Sequence, residues 1–182
     1  MSRPEGRRFE FEVLGSDVVW NGEIPYVDFQ EAIGFVLRKQ PDSWHPLRPP
    51  TKLGSELLCA VKSALNQEID SRCLEGVKEY LVENTGLYVA LGTPADFLHQ
   101  TDAVICCDLG FVCLIVTIDL KVEDCGEDDL PRDNHVIITR RDFTEIASNG
   151  VLRLNNIAGV IVEQLVLQLE QFEILVEKPP VS

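Results

Sequence analysis

The chain has 182 residues, 45% of them hydrophobic and 25% charged, which are the proportions of an ordinary globular protein. They exclude wholesale disorder, collagen-like repeats and a coiled coil, and the length suffices for one core without staples. Thirty acidic against 16 basic residues give a formal charge of −14; this argues against a protein that coats nucleic acid by neutralising phosphates, while leaving room for a local basic or metal-neutralised site.

Taken in chain order, Ser2–Arg8 reads as a short, polar, frayed terminus. No positively charged start runs into an apolar stretch, so no secretory signal is expected. Phe9–Val13 (FEFEV) alternates as a half-exposed strand does, and Val18–Trp20 reads as a second short strand. Tyr26, Phe29, Ile33 and Val36/Leu37 recur at helical spacing, which predicts a helix over 26–39. Pro41, Pro46, Pro49 and Pro50 then impose a loop. Residues 1–50 are therefore read as a strand-and-helix extension packed on a core formed by 51–182.

Two helices are predicted at Leu53–Gln67 and Leu74–Glu83, the second stopped by Asn84-Thr85-Gly86 with the glycine left-handed. Strands follow at Leu87–Leu91 and Asp102–Cys107, separated by a loop over Gly92–Gln100, and Asp108-Leu109-Gly110 reads as a hairpin turn. Within Phe111–Val122 the even positions are Val112, Leu114, Val116, Ile118, Leu120 and Val122, all aliphatic. The odd positions begin apolar and end in Thr117, Asp119 and Lys121. Side chains alternate across a strand, so this is read as a central strand with polar chemistry at one end. An acidic loop, Glu123–Asp133, leads to a strand at His135–Thr139, after which Asp142 or Thr144 would cap a short helix. A long helix is predicted over Asn155–Glu177 from the stripe Ile157, Ile161, Leu165, Leu169, Phe172 and Val176. Glu163, Gln164, Gln168, Glu170, Gln171 and Glu173 interrupt that stretch, so it is not read as a membrane span. The class is α/β: a mixed central sheet of about four to six strands flanked by helices.

The six cysteines, Cys59, Cys73, Cys106, Cys107, Cys113 and Cys125, include no C-x-x-C pair. Adjacent Cys106 and Cys107 would point to opposite faces of one strand. Neither a structural zinc site nor a secreted disulfide frame is expected, and a reducing cytoplasm is the expected setting.

Asp119 and Lys121 leave the same strand face, and Asp102 opens the strand before it. Two carboxylates converging there, with a backbone carbonyl and waters, would suit Mg²⁺, and the ammonium of Lys121 would orient a water or balance a phosphate. Asp102 with Ile118-Asp119-Leu120-Lys121-Val122 resembles the PD-(D/E)XK, or restriction-endonuclease-like, nuclease superfamily. The run Thr93-Pro94-Ala95-Asp96, His99, Asp102 resembles the approach to the first acid in some of its members. The resemblance covers about Leu53–Val176. It implies a restriction-endonuclease-like core, Mg²⁺ or Mn²⁺ as cofactor, phosphodiester hydrolysis, Asp102, Asp119 and Lys121 as catalytic residues, the Leu120 carbonyl as a further ligand, and a helix glutamate, Glu75 or Glu79, completing the acidic shell. Thr101, rather than the proline of the family pattern, precedes Asp102, and the acidic loop past the centre would repel a phosphate backbone unless it points away.

Each feature also has a plainer reading. Asp119 and Lys121 can form an ion pair at a sheet end, Asp102 can mark a turn, and Asp96, His99 and Asp102 can belong to a polar loop. His45 and His135 have no companion at ligand spacing. Arg140-Arg141 can touch phosphate or pair with the acidic loop. No Gly-rich phosphate loop, G-x-S-x-G or H-E-x-x-H pattern occurs. The competing function is a non-catalytic acidic interaction or regulatory protein on the same fold. Nucleic acid as partner is disfavoured by the net charge without being excluded, a protein partner and a homodimer fit either reading, and no membrane partner is expected.

Overall fold

The computed structural model describes residues 4–15, 51–71, 75–90, 100–109, 113–122 and 134–171. Their elements, in order, are α1 (Pro4–Leu14), α2 (Lys52–Ser71), α3 (Glu75–Glu83), β1 (Thr85–Val89), β2 (Ala103–Asp108), β3 (Cys113–Lys121), β4 (His135–Thr139), a 3₁₀ turn (Arg140–Phe143) and α4 (Arg153–Gln171). The expected strand over Val18–Trp20, the helix over 26–39, the proline loop, the Gly92–His99 segment and the acidic loop lie outside the described residues, as does the chain beyond Gln171.

Phe9–Val13 is helical, not a strand. The five-residue alternation is equally a spacing of four: Phe9 and Val13 are fully buried with Leu14, while Phe11, which a strand would bury with them, faces solvent. Pro4 starts the helix where a missing N–H costs nothing, and Glu5 faces the positive end of the dipole. Gly15, at φ +67°, ends it, its N–H donating to the Phe11 carbonyl at 2.8 Å. Thr51 then joins two helices. Its hydroxyl accepts the Gly54 N–H at 3.0 Å, capping α2, and donates to the Val13 carbonyl at the end of α1.

The Asn84-Thr85 stop of α3 works differently from the sequence expectation. The Asn84 side-chain amide donates to the Tyr80 carbonyl at 2.8 Å and the Thr85 hydroxyl to the Leu81 carbonyl at 2.6 Å. Gly86 is not a left-handed cap but a β1 residue. A Cβ there would lie 2.8 Å from the Tyr88 ring, so the absent side chain is what lets that ring lie along the strand.

The four strands form one sheet in the order β1-β2-β3-β4. β1, β2 and β3 are a meander of antiparallel pairs, and β4 runs parallel to β3, with Thr117 opposite His135 and Lys121 opposite Thr139. Leu114, Val116, Ile118 and Leu120 face the main core with Ala103, Ile105, Val136 and Ile138, against Phe9 and Val13 of α1, Leu57, Val61 and Leu65 of α2, Leu81 of α3 and Ile161, Leu165 and Leu169 of α4. The opposite face carries a smaller cluster, Ala90, Val104 and Cys106, bordered by Tyr88, Cys113 and Ile115. The alternation predicted along β3 is thus the partition between these two clusters. The molecule is a mixed α/β protein with helices packed on a four-stranded mixed sheet.

β4 begins opposite Thr117, so the first residues of β3 have no partner from it. Gln168 of α4 supplies one: its side-chain oxygen accepts the Ile115 N–H at 3.0 Å and its amide donates to the Ile115 carbonyl at 2.9 Å. Asp142 does a similar service after β4. It stands third in the 3₁₀ turn, not ahead of it, and closes a capping box with Thr139 at the N-cap: its carboxylate accepts the Thr139 N–H at 2.7 Å and hydroxyl at 2.8 Å, and it pairs with Arg153 at 3.3 Å.

Contrary to the expectation of unpaired thiols, Cys106 of β2 and Cys113 of β3 are joined as a disulfide. Cys59 and Cys107 are free. No helix among the described residues is long and apolar enough to cross a membrane.

Candidate functional site

Burying a polar group costs free energy unless its partners come with it, so where such groups gather is informative. Seven polar or charged side chains are buried among the described residues, and only Thr85 lies at the far end of the sheet. The other six, Thr101, Asp102, Thr117, Asp119, Thr139 and Asp142, surround the second half of β3.

Asp102 stands one residue before β2. Its N–H donates to the Ile118 carbonyl and its carbonyl accepts the Ala90 N–H, both at 2.8 Å, so the backbone is fixed on both sides. Its carboxylate accepts the Leu120 N–H at 2.7 Å. This is a charge-assisted bond, stronger than a neutral one, and it anchors the first acid to the middle of Asp119-Leu120-Lys121. Asp119 is buried on the face away from the main core, and its carboxylate lies 3.4 Å from the ammonium of Lys121, which is more accessible. Two residues apart on one strand, the pair shares a face as the sequence implies. Leu120 turns its side chain into the main core, leaving its backbone at the sheet end between the two acids.

On the same face, Thr117 is fully buried and donates its hydroxyl to the Asn134 carbonyl at 3.0 Å. The same oxygen lies 2.8 Å from Nδ1 of His135. His135 thus has a neighbour that spacing along the sequence does not disclose, because it comes from the parallel pairing of β3 with β4.

The structure brings Asp102, Asp119, Leu120 and Lys121 together, but not Glu79. The helix α3 meets the sheet at the other end, where the Cys107 thiol donates to the Leu81 carbonyl at 3.5 Å. Asp102 is five residues further along β2, about 16 Å at the rise of a strand, and Glu79 faces solvent. Glu75 opens α3, and its side chain lies outside the described residues, as do Asp96, His99 and His45. Among the described residues no group of three His, Cys, Asp or Glu side chains could hold a metal. The two carboxylates and the Leu120 carbonyl are nonetheless hard oxygen donors of the kind Mg²⁺ takes, one or two carboxylates being usual where waters and substrate phosphate fill the remaining positions.

The arginine pair is spoken for by other partners. Arg140 bonds Glu12 of α1 at 2.9 Å and lies 5.2 Å over the Phe9 ring, and Arg141 pairs with Glu145 at 3.5 Å. These contacts hold α1 and the 3₁₀ turn; the expected pairing with Glu123–Asp133 lies outside the described residues.

No protein-family model, curated protein or solved structure matches the chain.

Proposed function

We propose that this chain is a Mg²⁺- or Mn²⁺-dependent nuclease or nuclease-like protein, with a restriction-endonuclease-like core and a cytoplasmic setting. The observation that carries the reading is the 2.7 Å bond from the Leu120 amide to the Asp102 carboxylate. It links an acid ahead of one strand to an acid-x-lysine tripeptide on the next, the juxtaposition that phosphodiester hydrolysis by this superfamily requires. Support also comes from the order of the elements, with helices ahead of a three-stranded meander and a parallel fourth strand.

In this reading Asp102 and Asp119 would hold the cation, with the Leu120 carbonyl as a third donor. When bound, the cation supplies Lewis acidity to a phosphoryl oxygen. Lys121, 3.4 Å from the Asp119 carboxylate, would orient the attacking water and offset charge on the phosphate. A net charge of −14 makes that local compensation a condition of approach by a polyanion.

A second reading is a non-catalytic acidic interaction protein with a basic protein partner. It is favoured by the Asp119–Lys121 pair, which satisfies both charges within the chain. Calorimetric titration with Mn²⁺ separates the two. The wild type should bind and Asp119→Ala should lose the heat, while a labelled oligonucleotide is cut by the wild type alone. Absence of Mn²⁺ heat in the wild type would sink the nuclease reading and leave the second.

A further inference from the structure

We propose that the Cys106–Cys113 disulfide is a redox-controlled lock on the register of β2 against β3, and through it on the Asp102–Leu120 contact. Hydrophobic patterning guards strongly against a slip of one residue, because such a slip would turn every core side chain to the other face. It guards poorly against a slip of two. The core-facing residues of β3 are Leu114, Val116, Ile118 and Leu120, four branched aliphatic side chains of similar size, so a two-residue shift replaces each by an equivalent.

A cross-link removes that degeneracy. In the observed register Cys106 is opposite Ile115, so Cys113 is its diagonal neighbour on the same face, with Cα atoms 6.4 Å apart, inside the range a disulfide spans. The Asp102–Leu120 bond, at the other end of the same pair of strands, exists in this register alone. The neighbouring thiol does not compete: Cys107 points into the main core, where its Sγ donates to the Leu81 carbonyl and burial raises its pKa, so little reactive thiolate forms.

Closing the lock forms one Sγ–Sγ bond and releases two protons and two electrons. A low-molecular-weight disulfide such as oxidised glutathione accepts them, its own S–S bond breaking to give two thiols; reduction reverses the exchange. The lock concerns strand pairing and does not depend on any activity of the acids.

The test is hydrogen exchange by NMR on the whole protein, oxidised and then reduced with a phosphine, with the bond verified by alkylation and mass. In the oxidised protein Cys106 and Cys113 should resist alkylation. On reduction the Leu120 amide should exchange about tenfold faster or more, as expected of a local opening, while Ile161 in α4 keeps its protection. Cys113→Ala should reproduce the reduced pattern under oxidising conditions, and Cys59→Ala should leave the oxidised pattern unchanged. Ready alkylation of Cys106 and Cys113 without reductant would overturn the proposal. So would an unchanged Leu120 rate on reduction, or an equal loss of protection at Leu120 and Ile161, which marks general destabilisation in place of a lock.

Discussion

Cys106 and Cys107 are adjacent in sequence and differ in everything else, because a strand sends successive side chains to opposite faces. Cys107 lies in the main core. Desolvation by burial raises its pKa above the ordinary value, against a smaller lowering by the Thr85 hydrogen bond. The unfolded thiol ionises near pH 8.5. Below that pH both states hold the proton and this contribution to stability is complete. Above it the unfolded chain holds fewer protons than the folded one, so stability falls as pH rises toward the folded value. Urea unfolding between pH 7 and about 10 should show that decline, and Cys107→Ala should flatten it. The opposite facing of the two cysteines is legible in the sequence from alternation alone. The disulfide is not, since the Cys106–Cys113 spacing means nothing until the register of β2 on β3 is known. Asp119 and Lys121 are legible for the same reason as Cys107: one strand and one face. For Glu79, membership of a nearby helix does not say which end of the sheet that helix meets.

Among the elements, β3 is the most legible, since nine residues of alternation admit no second periodicity. Phe9–Val13 is the least, because five residues fit period two and spacing four equally well. The choice falls to tertiary contacts, Phe9 against Phe143 with ring centroids 6.0 Å apart and Glu12 against Arg140, both far along the chain. The join between α1 and α2 rests on Thr51, whose one hydroxyl serves a helix start and a helix end. Thr51→Ala should destabilise the fold by about 1–2 kcal/mol, read as a lower urea midpoint at unchanged slope. Thr51→Ser keeps the hydroxyl and should recover most of that loss.

For the molecule as a whole, the 14 excess negative charges repel one another more in the compact state than in the expanded one. Raising NaCl from about 20 to about 200 mM shortens the Debye length from about 20 to about 7 Å. The melting temperature should rise by about 2–5 °C as a result, and a fall would show that attractive pairs such as Arg140–Glu12 outweigh the repulsion. The α/β class is legible because helical and strand periodicities occupy separate segments. The parallel placement of β4 beside β3 is not, because the short strand His135–Thr139 carries no mark of direction.

Gln168 has one more consequence. Among the described residues no strand pairs with the outer rim of β3 ahead of Thr117, and such a row of peptide groups is one that a strand from another molecule could zip onto, the usual seed of sheet-to-sheet association. With its side-chain amide on the Ile115 peptide, Gln168 acts as a one-residue plug. Gln168→Leu keeps the bulk and removes the plug, so light scattering of concentrated solutions should reveal self-association in the variant, along with a stability loss of about 1–3 kcal/mol from the unmet peptide groups.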